Sequence, residues 1–220
     1  EVVYADCLNE EELQSAEENV DYAYYLIHSM RENNNEFVQK DQIAAKNFRD
    51  AAERCGVKRI IYLGGLGEKN DRMSSHLRSR REVGQLLTQG SVPVIRVRAA
   101  IILGTGSASY ELMKAMIVNN RYIPFLSEFN SRCQPIAIRD VIKYLVGVME
   151  TPDLSSCIYQ VGCKDILTYK EMIQSFAKIL NRNVRFIDVS WVPFPVQWMC
   201  RVYACWLHCF IPIPINITSL

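Results

Sequence analysis

Two glycine-rich turns and one cysteine–histidine cluster are the places where residue type and spacing could do chemistry. The first turn is Gly64-Gly65-Leu66-Gly67, which follows the apolar run Val57, Ile60, Ile61, Tyr62 and Leu63 and precedes a stretch with helical spacing. A strand whose carboxyl end opens into a glycine turn before a helix is where doubly wound α/β proteins place ligands. Glycine there either allows close approach of a ligand or supplies the positive φ of a tight turn. The second turn, Gly104-Thr105-Gly106-Ser107, also precedes a helix. Without the lysine of a P-loop it reads as a substrate-side turn rather than a phosphate cradle. The third feature, Cys200, Cys205, His208 and Cys209, has the residue types of a zinc site. Its spacing lacks a C-x-x-C knuckle, and Cys205 and Cys209 stand at helical i, i+4 positions, so no metal is expected.

The elements that must position these turns follow a regular rhythm. Residues 2–4 read as a short strand ending at Asp6 and Cys7, and residues 10–18 as a polar helix. A tyrosine-bearing strand follows at 20–27. Helical spacing of Phe37, Ile43, Ala44, Phe48, Ala51 and Ala52 predicts a helix over 37–55 closed by Gly56 in the left-handed region. The strand 57–63 and a helix from Ser74 or Ser75 to Gln89 come next. The apolar run 92–103 is interrupted by Arg96 and Arg98, and a helix starts at Ser107 or Ser109. Alternation of this kind predicts a parallel sheet with right-handed crossovers, an α/β doubly wound fold. Extended pieces at 123–126 and 134–138, helices at 140–149 and 168–180, and strands at 157–162 and 184–189 complete a smaller substrate region of about 105–190. Three parallel strands, 20–27, 57–63 and 94–103, are expected as neighbours with their carboxyl ends in one cleft.

Composition bounds the rest. The 220 residues suffice for one well-buried domain, and a formal net charge of +1 without a long basic stripe argues against nucleic acid. The first residues lack the features of a secretory leader, so a reducing, cytoplasmic setting is expected, with most of the eight cysteines as buried thiols. Residues 191–217 are strongly apolar, with prolines at 193, 195, 212 and 214 and with Arg201 inside. That pattern favours a helix packing on its own sheet or on a further domain over a membrane span, although membrane association stays open. Oligomeric state is not legible.

Several stretches together resemble a known family. Tyr24-Tyr25-Leu26-Ile27-His28-Ser29-Met30, Leu63-Gly64-Gly65-Leu66-Gly67, Ser74-Ser75-His76-Leu77-Arg78-Ser79-Arg80-Arg81-Glu82-Val83-Gly84 and Ser131-Arg132-Cys133-Gln134-Pro135-Ile136-Ala137-Ile138 are similar, in order, to the atypical short-chain dehydrogenase/reductases. The likeness is to bacterial NAD(P)-binding, epimerase-like or NmrA-like proteins with an extra C-terminal domain. It extends from residue 1 to about 188, with a more distant likeness to an accessory subunit of respiratory complex I. It implies a Rossmann-like fold, NAD or NADP as cofactor and a small-molecule substrate. Such proteins begin with a glycine-rich turn that holds the pyrophosphate, yet no glycine precedes Gly56 here. The resemblance therefore implies a sequence shortened at both ends, with residues 2–7 standing for the family's third strand.

The same resemblance assigns roles. Asp6, Cys7, Leu26, Ile27, His28, Gly64, Arg80, Ala99, Ala100 and Ile101 are implied as cofactor contacts. Ser29, Met30, Gly65, Leu66, Gly67 and Gln134 are implied on the substrate side. His76 and Arg80 fall at the places of the family's Tyr-x-x-x-Lys pair, a departure that makes a phenolate mechanism unavailable. Imidazole can still donate a proton near neutrality, and arginine can still bond a ribose. The competing readings are a helix-start histidine for His76, a buried satisfied histidine for His28 and a solvated turn aspartate for Asp6. The turn at 64–67 also lacks the serine or threonine that the family usually places there. Two functions follow: an NAD(P)-dependent oxidoreductase or epimerase, or a dinucleotide-sensing or scaffolding protein that keeps the fold without turnover. A membrane-apposed assembly factor rests only on the apolar tail.

Overall fold

The computed structural model describes residues 2–28, 35–66, 75–125 and 130–189, and for 35–37 and 75–76 the backbone alone. Residues 2–4, expected as a strand, form none: Val2 is 98% and Tyr4 86% exposed. A lone extended segment leaves its N–H and C=O groups unpaired and becomes a strand only beside a neighbour.

Asn9 then caps α1 (Glu10–Glu17), its side chain accepting from the Glu11 amide. β1 (Tyr22–Tyr25) is shorter than the run expected, and leaves Leu26, Ile27 and His28 beyond the strand. α2 (Asn35–Arg54) is followed by Gly56, whose φ of +71° is the left-handed close that the sequence predicts. β2 (Arg59–Gly65) carries on through Gly64 and Gly65 instead of stopping at them, because both are paired in the ladder, with Arg98 and Ala99. α3 (Ser75–Leu87) and β3 (Val94–Ala99) follow.

The apolar run expected over 92–103 breaks at Ala100, so that Ile102 and Leu103 form a separate strand, β4 (Ile102–Leu103). Ser107 caps α4 (Ala108–Asn119), and β5 (Tyr122–Phe125), β6 (Arg132–Cys133) and β7 (Ile136–Ala137) come after it. α5 (Ile138–Glu150), β8 (Cys157–Val161), β9 (Leu167–Thr168), α6 (Tyr169–Ile179) and β10 (Arg185–Asp188) complete the described chain.

The chain divides into two compact units, residues 1–100 with 139–162, and residues 101–138 with 163–220. The first unit holds a four-stranded sheet in the order β1-β2-β3-β8, every pair parallel. This is the neighbour relation expected of the three apolar runs. On one face, Ala23, Tyr25, Ile60, Tyr62 and Val94 pack with Ala45, Phe48, Ala51 and Ala52 of α2 and with Val83 and Leu87 of α3. The alanines bring α2 close, and the Tyr25 and Phe48 rings meet edge-on with centroids 4.9 Å apart. On the other face, Tyr24 donates its hydroxyl to the Leu145 carbonyl, 3.2 Å away, and Arg59 reaches the end of α5. Burial on both faces is why β2 reads as a continuous apolar run.

In the second unit, β5 pairs with β10 and β4 with β7, both in parallel, while β6 and β9 are antiparallel. Its core gathers Met113, Ile117, Ile123, Met172, Ile173 and Ala177. Thr168 and Glu171 form a reciprocal capping box at the start of α6.

The five described cysteines, Cys7, Cys55, Cys133, Cys157 and Cys163, are free thiols of intermediate burial rather than fully buried ones. Among the described residues no helix is long and apolar enough to cross a membrane, and no group of three metal-ligating side chains occurs. Residues 191–217, and with them Cys200, Cys205, His208 and Cys209, lie outside that description.

Candidate functional site

Three of the parallel strands end side by side. Tyr25 stands opposite Tyr62, Gly64 opposite Arg98 and Gly65 opposite Ala99. Beyond these pairs the chain leaves as Leu26-Ile27-His28 after β1, as Leu66 after β2 and as Ala100 after β3. Leu66 stays close, donating its amide to the Ala99 carbonyl at 2.8 Å. Leu26, Ile27, His28, Gly64, Gly65, Leu66, Ala99 and Ala100 therefore share the carboxyl edge of one sheet. Leu26, Ile27 and His28 are exposed there, so the buried-histidine reading of His28 falls.

Other expected site residues sit elsewhere. The Asp6 carboxylate accepts the Leu8 amide at 2.9 Å in an exposed turn, while its own amide donates to Glu12, which is the turn-aspartate reading. Cys7 offers its carbonyl to Asn47 on α2, and burial pushes its thiol pKa up, helped by the carboxylates of Asp6 and Glu17. Ile101 and Gln134 belong to the second unit. There the Ile101 carbonyl accepts from the Ile136 amide, and the Gln134 side chain donates to the Cys163 carbonyl at 3.0 Å. Ser29, Met30 and Gly67 lie outside the described residues, as does the side chain of His76, whose backbone is in the first turn of α3.

Arg80, one helical turn after His76, is tied into this edge. Its Nη2 donates to the Leu63 carbonyl at 2.8 Å, and its own carbonyl accepts the Tyr62 hydroxyl at 2.7 Å. One residue earlier, buried Ser79 donates to the buried Asp41 carboxylate of α2 at 3.0 Å. These bonds fix the rotation of α3 over β2. The glycines permit the approach. A Cβ on Gly65 would lie 2.8 Å from Leu77 Cδ2, and one on Gly64 would lie 3.1 Å from the Tyr62 ring. Neither glycine takes a positive φ. Gly65 is thus explained by close packing of α3 on the strand and Gly64 by the Tyr62 ring of its own strand, neither by a positive-φ turn.

The turn at 104–107 is also a packing device. A Cβ on Gly104 would collide with Ile138, and Gly106 takes φ +86°. The Gly106 amide donates to the Glu111 carboxylate at 3.3 Å. An amide already facing an acid is a poor phosphate ligand, in agreement with the sequence reading.

Beside the edge lies an open cleft of about 340 Å³, counting the solvent at its mouth, lined by Tyr62, Gly64, Gly65, Leu77, Arg80 and Gly84 together with Arg81, Arg96 and Arg98. Burial holds the Arg96 pKa below its ordinary value, and the positive charges of Arg98 and Arg81 lower it further. Burial likewise raises the pKa of Tyr62, against the opposing pull of Arg80. Sequence reasoning missed Arg81, Arg96 and Arg98 as site residues. The available signal was the i, i+2 pair Arg96 and Arg98 in an otherwise apolar strand, which puts both guanidinium groups on one face.

No protein-family model and no curated protein matches the sequence. Solved structures do match in fold. The Bordetella bronchiseptica enzyme WbmG, in complex with NAD and UDP, superposes with a TM-score of 0.69 at 12% identity over 84% of this chain and 65% of its own. A UDP-N-acetylglucosamine 4-epimerase from Bacillus cereus gives 0.70 at 13% identity over 84% of this chain and 71% of its own. RMD from Pseudomonas aeruginosa, complexed with NADPH, gives 0.67 at 13% identity over 86% and 77%. The chain thus spans less than two thirds of the length of WbmG, and it shares with all of these a Rossmann-like fold.

Proposed function

We propose that the crevice at the carboxyl ends of β1, β2 and β3 takes a dinucleotide, NAD or NADP, and that the protein is an epimerase-like oxidoreductase acting on a small molecule. One observation carries the reading: parallel neighbours deliver Leu26–His28, Gly64–Leu66 and Ala99–Ala100 to the same edge, where this fold class places its ligands. Proteins of the same fold have been crystallised with NAD and UDP or with NADPH, which supports the cofactor class.

The residues present fit the ribose end of such a molecule. Arg80 retains guanidinium N–H groups beyond the one given to Leu63, and its buried Nε has no acceptor in the described structure. Gly64 and Gly65 add no side chain over the strand end. The nicotinamide, when bound, supplies hydride exchange. Arg80 orients the ribose hydroxyls, and His76 holds or gives a proton at the substrate oxygen.

Saturation-transfer NMR tests this on the chain itself, since it detects weak binding. NADPH or NAD should receive saturation, most strongly at the nicotinamide and its ribose, and Arg80→Met should reduce it. Absence of transfer to either dinucleotide would defeat the reading.

A second reading, a dinucleotide sensor or scaffold without turnover, is favoured by the sequence itself: His76 and Arg80 replace the Tyr-x-x-x-Lys pair, and the 63–67 segment holds neither serine nor threonine. Carbonyl-dependent oxidation of NADPH that His76→Ala abolishes selects the enzyme. Dinucleotide binding without such oxidation selects the sensor.

A further inference from the structure

The α3 side of β3 carries a positive cluster with no acid paired to it among the described residues. Arg96 and Arg98 are i, i+2 residues of β3 and so share a face, the same face as Tyr62 and Gly64 in the register. With Arg81 of α3 they line one cleft, and each is half-buried. Gly84 makes the cleft possible, because a Cβ there would lie 3.2 Å from Arg96 Cδ and 3.0 Å from the Tyr62 ring. On the far side, the β8 residues paired with Arg96 and Arg98 are Ile158 and Gln160, both exposed, so this side of the cleft opens to solvent.

Counter-charge is missing among the described residues. None of Arg81, Arg96 and Arg98 forms an ion pair there, and Arg96 Nε is buried with no acceptor. The α3 acid nearest in sequence, Glu82, accepts instead from Gln42 of α2. Arg80 gives one N–H to the Leu63 carbonyl and faces the strand ends. Three guanidinium groups gathered with no described acid among them form a geometry suited to an oxyanion with several acceptor oxygens, because planar forks bind phosphoryl oxygens two at a time.

We infer that Arg81, Arg96 and Arg98, grouped along the α3 flank of β3, form a binding site for a phosphoryl anion in the cleft that adjoins the crevice at the strand ends. Two donors of that chemistry are open: a free phosphate or pyrophosphate, and the diphosphate of a nucleotide.

The test is a calorimetric and 31P NMR titration of the chain with inorganic pyrophosphate, inorganic phosphate and ADP, at constant ionic strength set with sodium chloride. Pyrophosphate should bind, and Arg96→Gln/Arg98→Gln should weaken it at least tenfold. If ADP binds no more tightly than pyrophosphate, the ligand is a free phosphoryl anion; a tighter ADP that the same substitutions weaken identifies a nucleotide. Arg81→Gln, at a helix position that tolerates glutamine, should weaken binding severalfold and covers the case in which the strand variants fold poorly. Equal pyrophosphate affinity in parent and variants would overturn the inference. So would a response no greater than that to chloride. Loss of NADPH transfer with intact pyrophosphate binding would instead defeat the dinucleotide reading alone.

Discussion

Arg59 and Arg96 lie on adjacent strands of one parallel sheet, on opposite faces, and the fold treats them differently. Arg59, 6% exposed, donates its Nη1 to the carbonyls of Val148, Thr151 and Met149 at 2.6, 2.8 and 3.4 Å. It also lies 5.8 Å from the Tyr22 ring centroid. Those carbonyls are the orphans at the end of α5, where a cation also meets the favourable end of the helix dipole. Arg96 has no such set of acceptors among the described residues, and its nearest charged neighbours carry its own sign. Charge on one face is structural. Charge on the other is left available for a ligand.

Arg59→Met sharpens the contrast most. It keeps much of the stem but strips three carbonyls of their donor, and should cost about 3 kcal/mol in urea unfolding, the cost of orphaning partly buried acceptors of a charged donor. A loss below about 1 kcal/mol would mean that water replaces the guanidinium and that the two arginines differ little.

Glu17 extends the comparison to an acid. It is 5% exposed, and neither carboxylate oxygen has a partner among the described residues. Burial raises its pKa from 4.5 to about 7. A carboxyl whose folded pKa exceeds its unfolded value binds more protons when folded, so stability is greatest below the unfolded pKa and declines as pH rises toward the folded one. Between about pH 5 and pH 8 the decline should reach about 2.5 kcal/mol, at about 1.36 kcal/mol per fully linked pH unit. Glu17→Gln should remove that component, as read from unfolding midpoints at each pH. A parent and variant with parallel pH profiles would show that the buried carboxyl finds a partner.

Much of this arrangement was legible beforehand and some was not, for separable reasons. Gly56 as a helix close and Ser107, one of two serines offered as the start of α4, follow from local spacing, and the parallel neighbours β1, β2 and β3 follow from the alternation of strands with helices. The strand 2–4 fails because pairing is not a local property. Gly64 and Gly65 were read as a stop because glycine usually ends a strand, whereas here it admits Leu77 and Tyr62. Arg59 carried no signal at all, since its carbonyl partners come from a helix distant in sequence. Arg96 and Arg98 read as interruptions of an apolar run; only the register beneath α3 and Gly84 shows that they share a cleft. His28 stands at the expected edge and is exposed there, and Asp6 accepts the Leu8 amide in an exposed turn.

The link between α2 and α3 ranks next. Ser79→Ala removes the donor to Asp41 at a site where both residues are nearly fully buried, 2% and 6% exposed. The expected loss is about 1–2 kcal/mol. Because this bond sets the rotation of α3, the variant should also weaken the response to pyrophosphate. Unchanged anion binding at reduced stability would show that α3 holds its place through Arg80 and Leu77 alone.

The smallest effect is the most diagnostic. Arg96→Met replaces a half-buried cation that has like-charged neighbours with a side chain that can still lie against Gly84. Without ligand it should leave stability unchanged or raise it by about 0.5 kcal/mol, with the gain largest at low salt, because the repulsion it relieves is screened as the Debye length shortens. The same substitution at Arg59 is strongly destabilising, so identical chemistry would have opposite signs on the two faces of one sheet. Urea unfolding at about 0.02 M and 0.5 M sodium chloride reads this directly. A destabilisation independent of salt would mean that Arg96 is held by contacts as structural as those of Arg59, and the contrast between the two faces would collapse.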